Sequence, residues 1–386
     1  METFLIIFSL LVLLLGIFEY KIHHKYLKNI PIRIHVNGSR GKSSVVRLIA
    51  AGLRAGNIKV FGKTTGTSPR IIDENGEDKY IHRLRSASIG EQISLIRYFS
   101  KLNPEALVIE CMAVNPQYQW ISEQKIVKST IGVMTNVRPD HLDEMGITMN
   151  QITNSMSNTI PFGGIMVSSE NKKNNILKNI AEERNTKFYK VNNEIDDSKL
   201  KNFRYLEHKE NVSLALKVCE LCGIDYDVAL KGMEICKPDP GALTIWSLKY
   251  KKNSFKFINA FAANDPASTL KTWKMINKRM NSNNFTIFLN TREDRQYRTI
   301  QLINLIFKEL KPNVVVLRGK NFPKELDDLM AENRKIVVHK FPYSIKQKKL
   351  IKFMAENLNE SVVLGIGNIV GWGEELMKNM KEYKID

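Results

Sequence analysis

Cysteine is scarce in this 386-residue chain: only Cys111, Cys219, Cys222 and Cys236 occur. Four scattered thiols cannot form a disulfide framework, which excludes a stapled secreted mini-protein and favours a reducing compartment. Cys219-x-x-Cys222 has no second pair nearby, so packing on a helix face outweighs zinc or redox use. Internal repeats and low-complexity tracts are lacking, which excludes solenoids and collagen-like arrays. Acidic residues are too few to balance the basic ones: 40 Asp+Glu against 58 Lys+Arg leave a formal charge of +18. That excess calls for an acidic partner, such as an anionic membrane surface, phosphates or a polyanionic product. No recognisable nucleic-acid module or aromatic–basic interleaving accompanies it, so no nucleic-acid partner is expected. With 43% hydrophobic and 25% charged residues the balance is globular, and the length suits roughly two domains.

Long apolar runs are absent except for one. Phe4 to Phe18 is interrupted only by Ser9 and Gly16. As a helix it spans about 23 Å against roughly 30 Å of hydrocarbon, and extension from Thr3 to Tyr20 nearly closes the gap. A secretory signal would carry a basic start and a small-residue cleavage site. Here Glu2 precedes the run, Glu19-Tyr20-Lys21 follows it, and Lys21, Lys25, Lys28 and Arg33 all lie after it. The positive-inside rule then predicts an uncleaved single-pass anchor in the cell membrane, with the bulk of the chain cytoplasmic. A short core or interfacial helix is the alternative.

From Ile32 onward, β-rich apolar runs alternate with helical stretches, the pattern of an α/β protein with mostly parallel sheets. Strands are expected at Ile32–Val36, Ile58–Gly62, Ala106–Ile109, Ile131–Val137 and Ile165–Ser168 in the first half. The second half offers Phe255–Ala260, Phe285–Leu289, Val314–Arg318, Lys335–His339 and Ser361–Leu364. Lys237-Pro238-Asp239-Pro240-Gly241 is a breaker cluster. It predicts three parts: an anchor and basic segment over 1–30, a central domain over 31–240 and a C-terminal domain over 241–386.

The strongest motif is Asn37-Gly38-Ser39-Arg40-Gly41-Lys42-Ser43-Ser44, which follows the first strand and enters a helix expected from Val45 to about Ala55. Glycines at 38 and 41 let the backbone turn so that amide groups converge, and the helix N-terminus adds partial positive charge for a phosphate. Lys42 can reach β- and γ-phosphates, and Ser43 can ligate Mg²⁺. Val36 stands where the longer Walker pattern has its first glycine, so the spacing is the shorter G-x-x-G-K-S form. Two further candidates sit at strand ends, where open α/β sheets place ligands. Glu110 ends the run 106–109, and a hard Mg²⁺ ion prefers such oxygens. Asp140-His141 follows the strand at 131–137 as a metal or phosphate contact.

These segments together resemble the Mur ligase superfamily. VNGSRGKSS (36–44) is similar to its phosphate loop, NVRPDHLD (136–143) to its Asp-His motif, and Glu110 falls at its magnesium glutamate. Thr67-Ser68-Pro69 looks like a segment of folylpolyglutamate synthases, and His208 to Asn211 like the stretch near the adenine, although helix capping explains Asn211 equally well. GKTTGT (62–67), ECMAVNP (110–116), PDPGA (238–242), NAFAAND (259–265) and GIGNI (365–369) resemble the poly-γ-glutamate synthase branch. The 31 residues before Ile32 leave no room for the sugar-binding domain of murein ligases, and no carbamylated lysine is identifiable. Asn259 and Ala263 replace the Asp and His usual in the family's C-terminal segment.

The resemblance implies a P-loop central domain with a mostly parallel sheet and a smaller Rossmann-like C-terminal domain. It also implies an ATP- and Mg²⁺-dependent amide ligase that activates a carboxylate as an acyl phosphate. By the same resemblance Lys42, Glu110 and His141 are catalytic, and Ser43, Glu110 and His141 hold magnesium. Asn37–Ser44 would bind the nucleotide, and Asn264, Arg292, Asp294 and Arg295 would approach it from the C-terminal domain on closure. Implied partners are glutamate, the growing poly-γ-glutamate chain, the membrane, and a small membrane subunit with an accessory subunit; a homo-oligomer is left open. A folylpolyglutamate-synthase or murein-type ligase, or a P-loop ATPase energising export, are the rival functions. Gly365-Ile366-Gly367 is no dinucleotide fingerprint, because Gly371 comes one residue late. Lys346, Lys348, Lys349 and Lys352 read as a solvated helix face, and Arg83, Arg85 and Arg97 as carboxylate binders on charge alone.

Overall fold

The computed structural model describes the chain except residues 66–68, 83–87, 193–194, 201, 204, 206, 240–242, 262, 264, 281, 321 and 386. The segment Thr67-Ser68, the arginines at 83 and 85, and Asn264 therefore lie outside the described residues. The chain divides into two compact units, Met1–Asp239 and Pro240–Asp386.

In the first unit one continuous helix runs Glu2–Lys28. Its stretch Thr3–Lys28 is long and apolar enough to cross a membrane, and its apolar side chains from Phe4 to Phe18 are exposed. The helix is continuous through the apolar run and beyond it, so the exposed apolar stretch is carried on a longer rod than the run alone. Its last turns are fastened to the unit. His23 Nε2 meets the Ile126 carbonyl at 2.7 Å, and Glu19 pairs with Arg97. Leu27 and Ile30 are buried in a cluster with Phe61, Ile96 and Phe99.

Eight strands follow: β1 (Ile32–Asn37), β2 (Val60–Thr64), β3 (Arg70–Ile72), β4 (Asp78–Tyr80), β5 (Ala106–Glu110), β6 (Ile131–Met134), β7 (Ile165–Ser168) and β8 (Lys187–Lys190). They lie in the order β4-β3-β2-β5-β1-β6-β7-β8. Every pairing from β2 to β8 is parallel, and only the β2–β3 and β3–β4 pairs are antiparallel. The central strands are buried along their length, as parallel strands covered on both faces must be. The helix Lys42–Ala55 buries Val45 to Leu53 without a break. Gly52 allows this close packing, because a Cβ there would stand 2.6 Å from Cys219 Sγ. Cys219 is accordingly a packed helix-face thiol, donating to the Ile49 carbonyl at 3.9 Å.

The second unit holds β9 (Thr244–Tyr250), β10 (Asn253–Asn259), β11 (Phe285–Asn290), β12 (Val314–Arg318), β13 (Val337–Phe341) and β14 (Val362–Gly367), ordered β13-β12-β11-β14-β10-β9. All pairs are parallel except the β9–β10 hairpin. Its core joins Phe257, Phe261, Phe288, Val316, Met354 and Leu376. Asp265 caps the helix Pro266–Arg279 by accepting from Ser268 N, with Pro266 at the first position.

All ten expected strands exist, with ends shifted by a few residues. β2 starts at Val60 rather than Ile58, and β6 stops at Met134 because Thr135 to Val137 turn toward the phosphate loop. Among the described residues β3, β4, β8 and β9 were not foreseen. They are edge or hairpin strands whose half-exposed residues carry little apolar signal.

Candidate active site

Within the first unit the signature residues gather at the C-terminal ends of β1, β5, β2 and β6. β1 delivers the loop Asn37 to Gly41. Gly38 has φ +136, and a Cβ on it would lie 2.1 Å from Thr135 Oγ1 and 3.0 Å from the Asn136 carbonyl. Only glycine tolerates both the conformation and the approach. Gly41, at φ 86, precedes the helix, whose first-turn amides have no intrahelical acceptor. Those amides and the helix dipole form an anion cradle. Lys42 Nζ rests on the Gly38 carbonyl at 2.7 Å. Ser44 is half-buried in the same turn.

The loop is stitched to the end of β6. Ser39 N donates to the Asn136 carbonyl at 3.0 Å, and Arg40 N to Asn136 Oδ1 at 3.1 Å. Ser39 Oγ accepts from Arg138 N at 2.8 Å. Thr135 Oγ1 and Asn136 Nδ2 both donate to the Arg40 carbonyl, at 2.7 and 2.9 Å. The Arg40 guanidinium lies 3.8 Å from Asp140. The Asn37 side chain is bonded within the unit. Its Nδ2 donates to Gln119 Oε1 and Thr159 Oγ1, and its Oδ1 accepts from Gly38 N at 2.8 Å. The amide braces the loop from behind.

Glu110 ends β5, and its Oε2 accepts from Ser43 Oγ and from Thr65 N, both at 2.7 Å. The structure thus brings two of the three expected metal residues into contact. Beside them Thr64 ends β2, buried to 1% exposure, with a hydroxyl that has no partner. Oxygen donors, an orphaned buried hydroxyl and a lysine above free amides fit a metal-bound phosphate chain. The third residue, His141, is not joined to them. It sits in the left-handed region at φ 47 with its side chain 53% exposed, and its Nε2 is 3.9 Å from Asp140 Oδ1. Among the described residues no group of three His, Cys, Asp or Glu side chains is close enough to hold a metal ion. In the second unit Arg292 precedes the short turn Glu293–Arg295 after β11, and Arg295 is exposed. The Asp294 side chain lies outside the described set.

Several supporting residues escaped sequence reasoning. Glu170 is 6% exposed; its Oε2 accepts from Val137 N and its Oε1 from Lys172 N, both at 2.7 Å, which fixes the Asp140 loop. Asn211 is not a helix cap, because His208 holds that position. Instead its Oδ1 lies 2.7 Å from where a Gly41 Cβ would be, and its Nδ2 donates to Glu207 Oε1 at 2.8 Å. Burial raises the Glu207 carboxyl to about 7 against the bonds it accepts from His208 N and Asn211. His35 is buried on β1, 2.7 Å from Glu123. Burial works to lower its pKa, but hydrogen bonds with Cys111 and Glu123 outweigh that and raise it to about 10. No local pattern marks Glu170 or His35, since each acts across a long sequence separation.

A phosphate loop after the first strand, a strand-end glutamate and two α/β units define an ATP-dependent amide ligase of Mur ligase type. The Mur ligase middle domain family matches residues 36–235. The chain belongs to the poly-γ-glutamate synthase CapB family, whose C-terminal domain matches residues 245–383. It is 36% identical to "PGA synthase CapB" of Bacillus subtilis (strain 168), covering 99% of this chain and 98% of that protein. Identity is also 36% with "Capsule biosynthesis protein CapB" of Bacillus anthracis, over 98% of this chain and 82% of that one. Among solved structures, E. coli FolC in complex with DHPP and ADP superposes with a TM-score of 0.69 at 14% identity, covering 94% of this chain and 92% of that chain. MurF from Acinetobacter baumannii gives 0.66 at 13%, over 93% and 79%. At such identities those likenesses speak for the fold.

Proposed function

We propose that this ligase polymerises glutamate through its γ-carboxylate, using ATP and Mg²⁺, on the cytoplasmic side of a membrane crossed by the helix Glu2–Lys28. The observation that carries it is the Ser43–Glu110 contact beneath the Gly38–Ser44 loop, in a chain that aligns end to end with a PGA synthase. When bound, ATP supplies the phosphoryl group that makes a carboxylate an acyl phosphate, and the amine of the next glutamate displaces phosphate to give the amide.

The catalytic problem is charge, since ATP and a carboxylate repel each other. Lys42 exchanges the Gly38 carbonyl for phosphate oxygens, and the first-turn amides hold their positions without reorganisation. Ser43 and Glu110 supply hard oxygen ligands for the metal, with the Thr64 hydroxyl beside them. His141 joins them when its exposed ring turns inward. By the same resemblance Asn264, Arg292, Asp294 and Arg295 are assigned to the nucleotide, and water must be kept from the acyl phosphate, which it would hydrolyse. The +18 charge retains a polyanionic product. A small membrane subunit and an accessory subunit complete the synthase.

The test is an assay on membranes carrying the protein with its co-encoded partners, given labelled glutamate and Mg²⁺. ADP and phosphate released only with glutamate, together with a protease-resistant acid-precipitable polymer, are expected. ATP hydrolysis indifferent to glutamate would instead mark an export ATPase, and AMP with diphosphate would mark adenylation.

A further inference from the structure

Behind the phosphate loop lies a buried polar chain that the nucleotide chemistry above leaves unused. Gln119, on the short helix Pro116–Ile121, is fully buried, and Asn37 is 3% exposed. Gln119 Nε2 donates to the Val114 carbonyl at 2.8 Å and to Ser155 Oγ at 3.2 Å. Its Oε1 accepts from Asn37 Nδ2 at 2.9 Å. Asn37 Nδ2 also donates to Thr159 Oγ1 at 3.0 Å, and Asn37 Oδ1 accepts from Gly38 N at 2.8 Å. Val114 follows Glu110 closely in the chain, so these bonds join the exit of β5 to the start of the phosphate loop.

The order of donors and acceptors along this chain is forced. A main-chain carbonyl only accepts, so Val114 requires the Gln119 amide nitrogen to face it. That leaves Gln119 Oε1 toward Asn37, which must answer with its own amide nitrogen. Asn37 Oδ1 is then turned to the Gly38 N–H. Flipping either amide would set nitrogen against nitrogen and oxygen against oxygen at buried positions, where an unmade bond is costly. The consequence reaches the loop. Gly38 N, Ser39 N and Arg40 N are all taken by protein oxygens, and the Gly38 carbonyl is the seat of Lys42 Nζ. An anion is therefore met by the first-turn amides of the helix Lys42–Ala55, on a loop whose shape is fixed from behind.

The same short helix also reaches the segment that carries His141. Its cap, Asn115, donates from Nδ2 to Glu144 Oε2 at 3.3 Å, in the helix Leu142–Met145 that follows His141. We propose that Gln119 is a positioning residue for nucleotide binding: acting through Asn37, it sets the Gly38 peptide and ties the phosphate loop to the exit of the Glu110 strand. It touches neither nucleotide nor metal itself. The inference rests on the phosphate-loop function above and names a residue outside the motif that holds the loop in its binding form.

The test measures binding of a non-hydrolysable ATP analogue with Mg²⁺ to the full-length protein in detergent, alongside its melting temperature. Gln119→Met keeps the length of the side chain and removes its donor. The dissociation constant should rise about tenfold, the scale usual for loss of a supporting bond behind a ligand site. Asn37→Ala should cost a similar factor, and the double variant no more than the larger single one, because the two residues act in series. In turnover the KM for ATP should rise while the KM for glutamate stays the same. A merely structural loss would lower the melting temperature and leave both constants of the folded protein unchanged. Wild-type affinity in a normally melting Gln119→Met protein would overturn the proposal, as would costs that add in the double variant. Should Gln119→Met fail to fold, Asn37→Ala decides alone, since unchanged affinity there breaks the chain at its last link. Failure of the wild type to bind the analogue is a different result: it would overturn the phosphate-loop function, and this proposal with it.

Discussion

The two sheets treat buried charge differently. In the first unit the buried Arg47 and Lys63 have carboxylate partners, and Glu207, bonded to neutral donors, is held toward its neutral form. In the second unit Arg318 is buried among neutral oxygens and aromatic rings. The strand ends of the first unit carry a preformed loop whose lysine is parked on a carbonyl. The phosphate loop is thus held by its own hydrogen bonds to the end of β6, whereas Arg318 is held by neutral oxygens and rings.

Four changes probe that contrast. Lys42→Ala strikes the cradle hardest, and turnover should fall by about 10³-fold or more. The melting temperature should hold, because the ammonium's only described bond is to the Gly38 carbonyl; near-normal product from a folded variant would remove Lys42 from the site. Glu110→Gln comes next. Chelation of divalent ions should stop the wild type, and the variant should need roughly tenfold more Mg²⁺ for half-maximal rate. His141→Ala should have a smaller effect of the same kind, since its ring stands half-exposed and apart from Glu110. Unchanged metal dependence would take it out of the set.

The smallest effect concerns Glu207 beneath the phosphate loop. Its folded pKa, about 7, lies above the ordinary 4.5. Between these values the folded chain holds a proton that the unfolded chain has lost, so stability falls as pH rises from 4.5 to 7. Glu207→Gln should flatten that part of the curve of melting temperature against pH. A slope identical to wild type would show the carboxyl to be ionised in the fold. The first unit would then hold one more buried carboxylate without a cation, in addition to Glu110 and Glu170.

Much of this protein was legible beforehand. Gly38, Gly41, Lys42 and Ser43 announced themselves because a phosphate loop is built from consecutive residues whose backbone makes the site. The alternation of strands and helices was equally plain, since strands buried on both faces are continuous apolar runs. Arg318 was visible only as the last residue of an expected strand. Its isolation depends on Asn290, Tyr343 and Trp372 arriving from three other segments. The inward turn of Asn37, the role of Asn211 against Gly41 and the bracing by Glu170 were hidden for the same reason.

The sequence alone therefore determined the class of fold, the apolar N-terminal helix and the nucleotide loop, because each is encoded by short-range pattern: period, run length and glycine spacing. Tertiary structure decided which charges are paired. Whether an arginine has a carboxylate beside it is a matter of distance in space, and pairing energies fall off within a few ångströms. Arg47 on its helix and Arg318 on its strand look alike as letters. Only the folded chain gives the first its two aspartates and surrounds the second with neutral oxygens and aromatic rings.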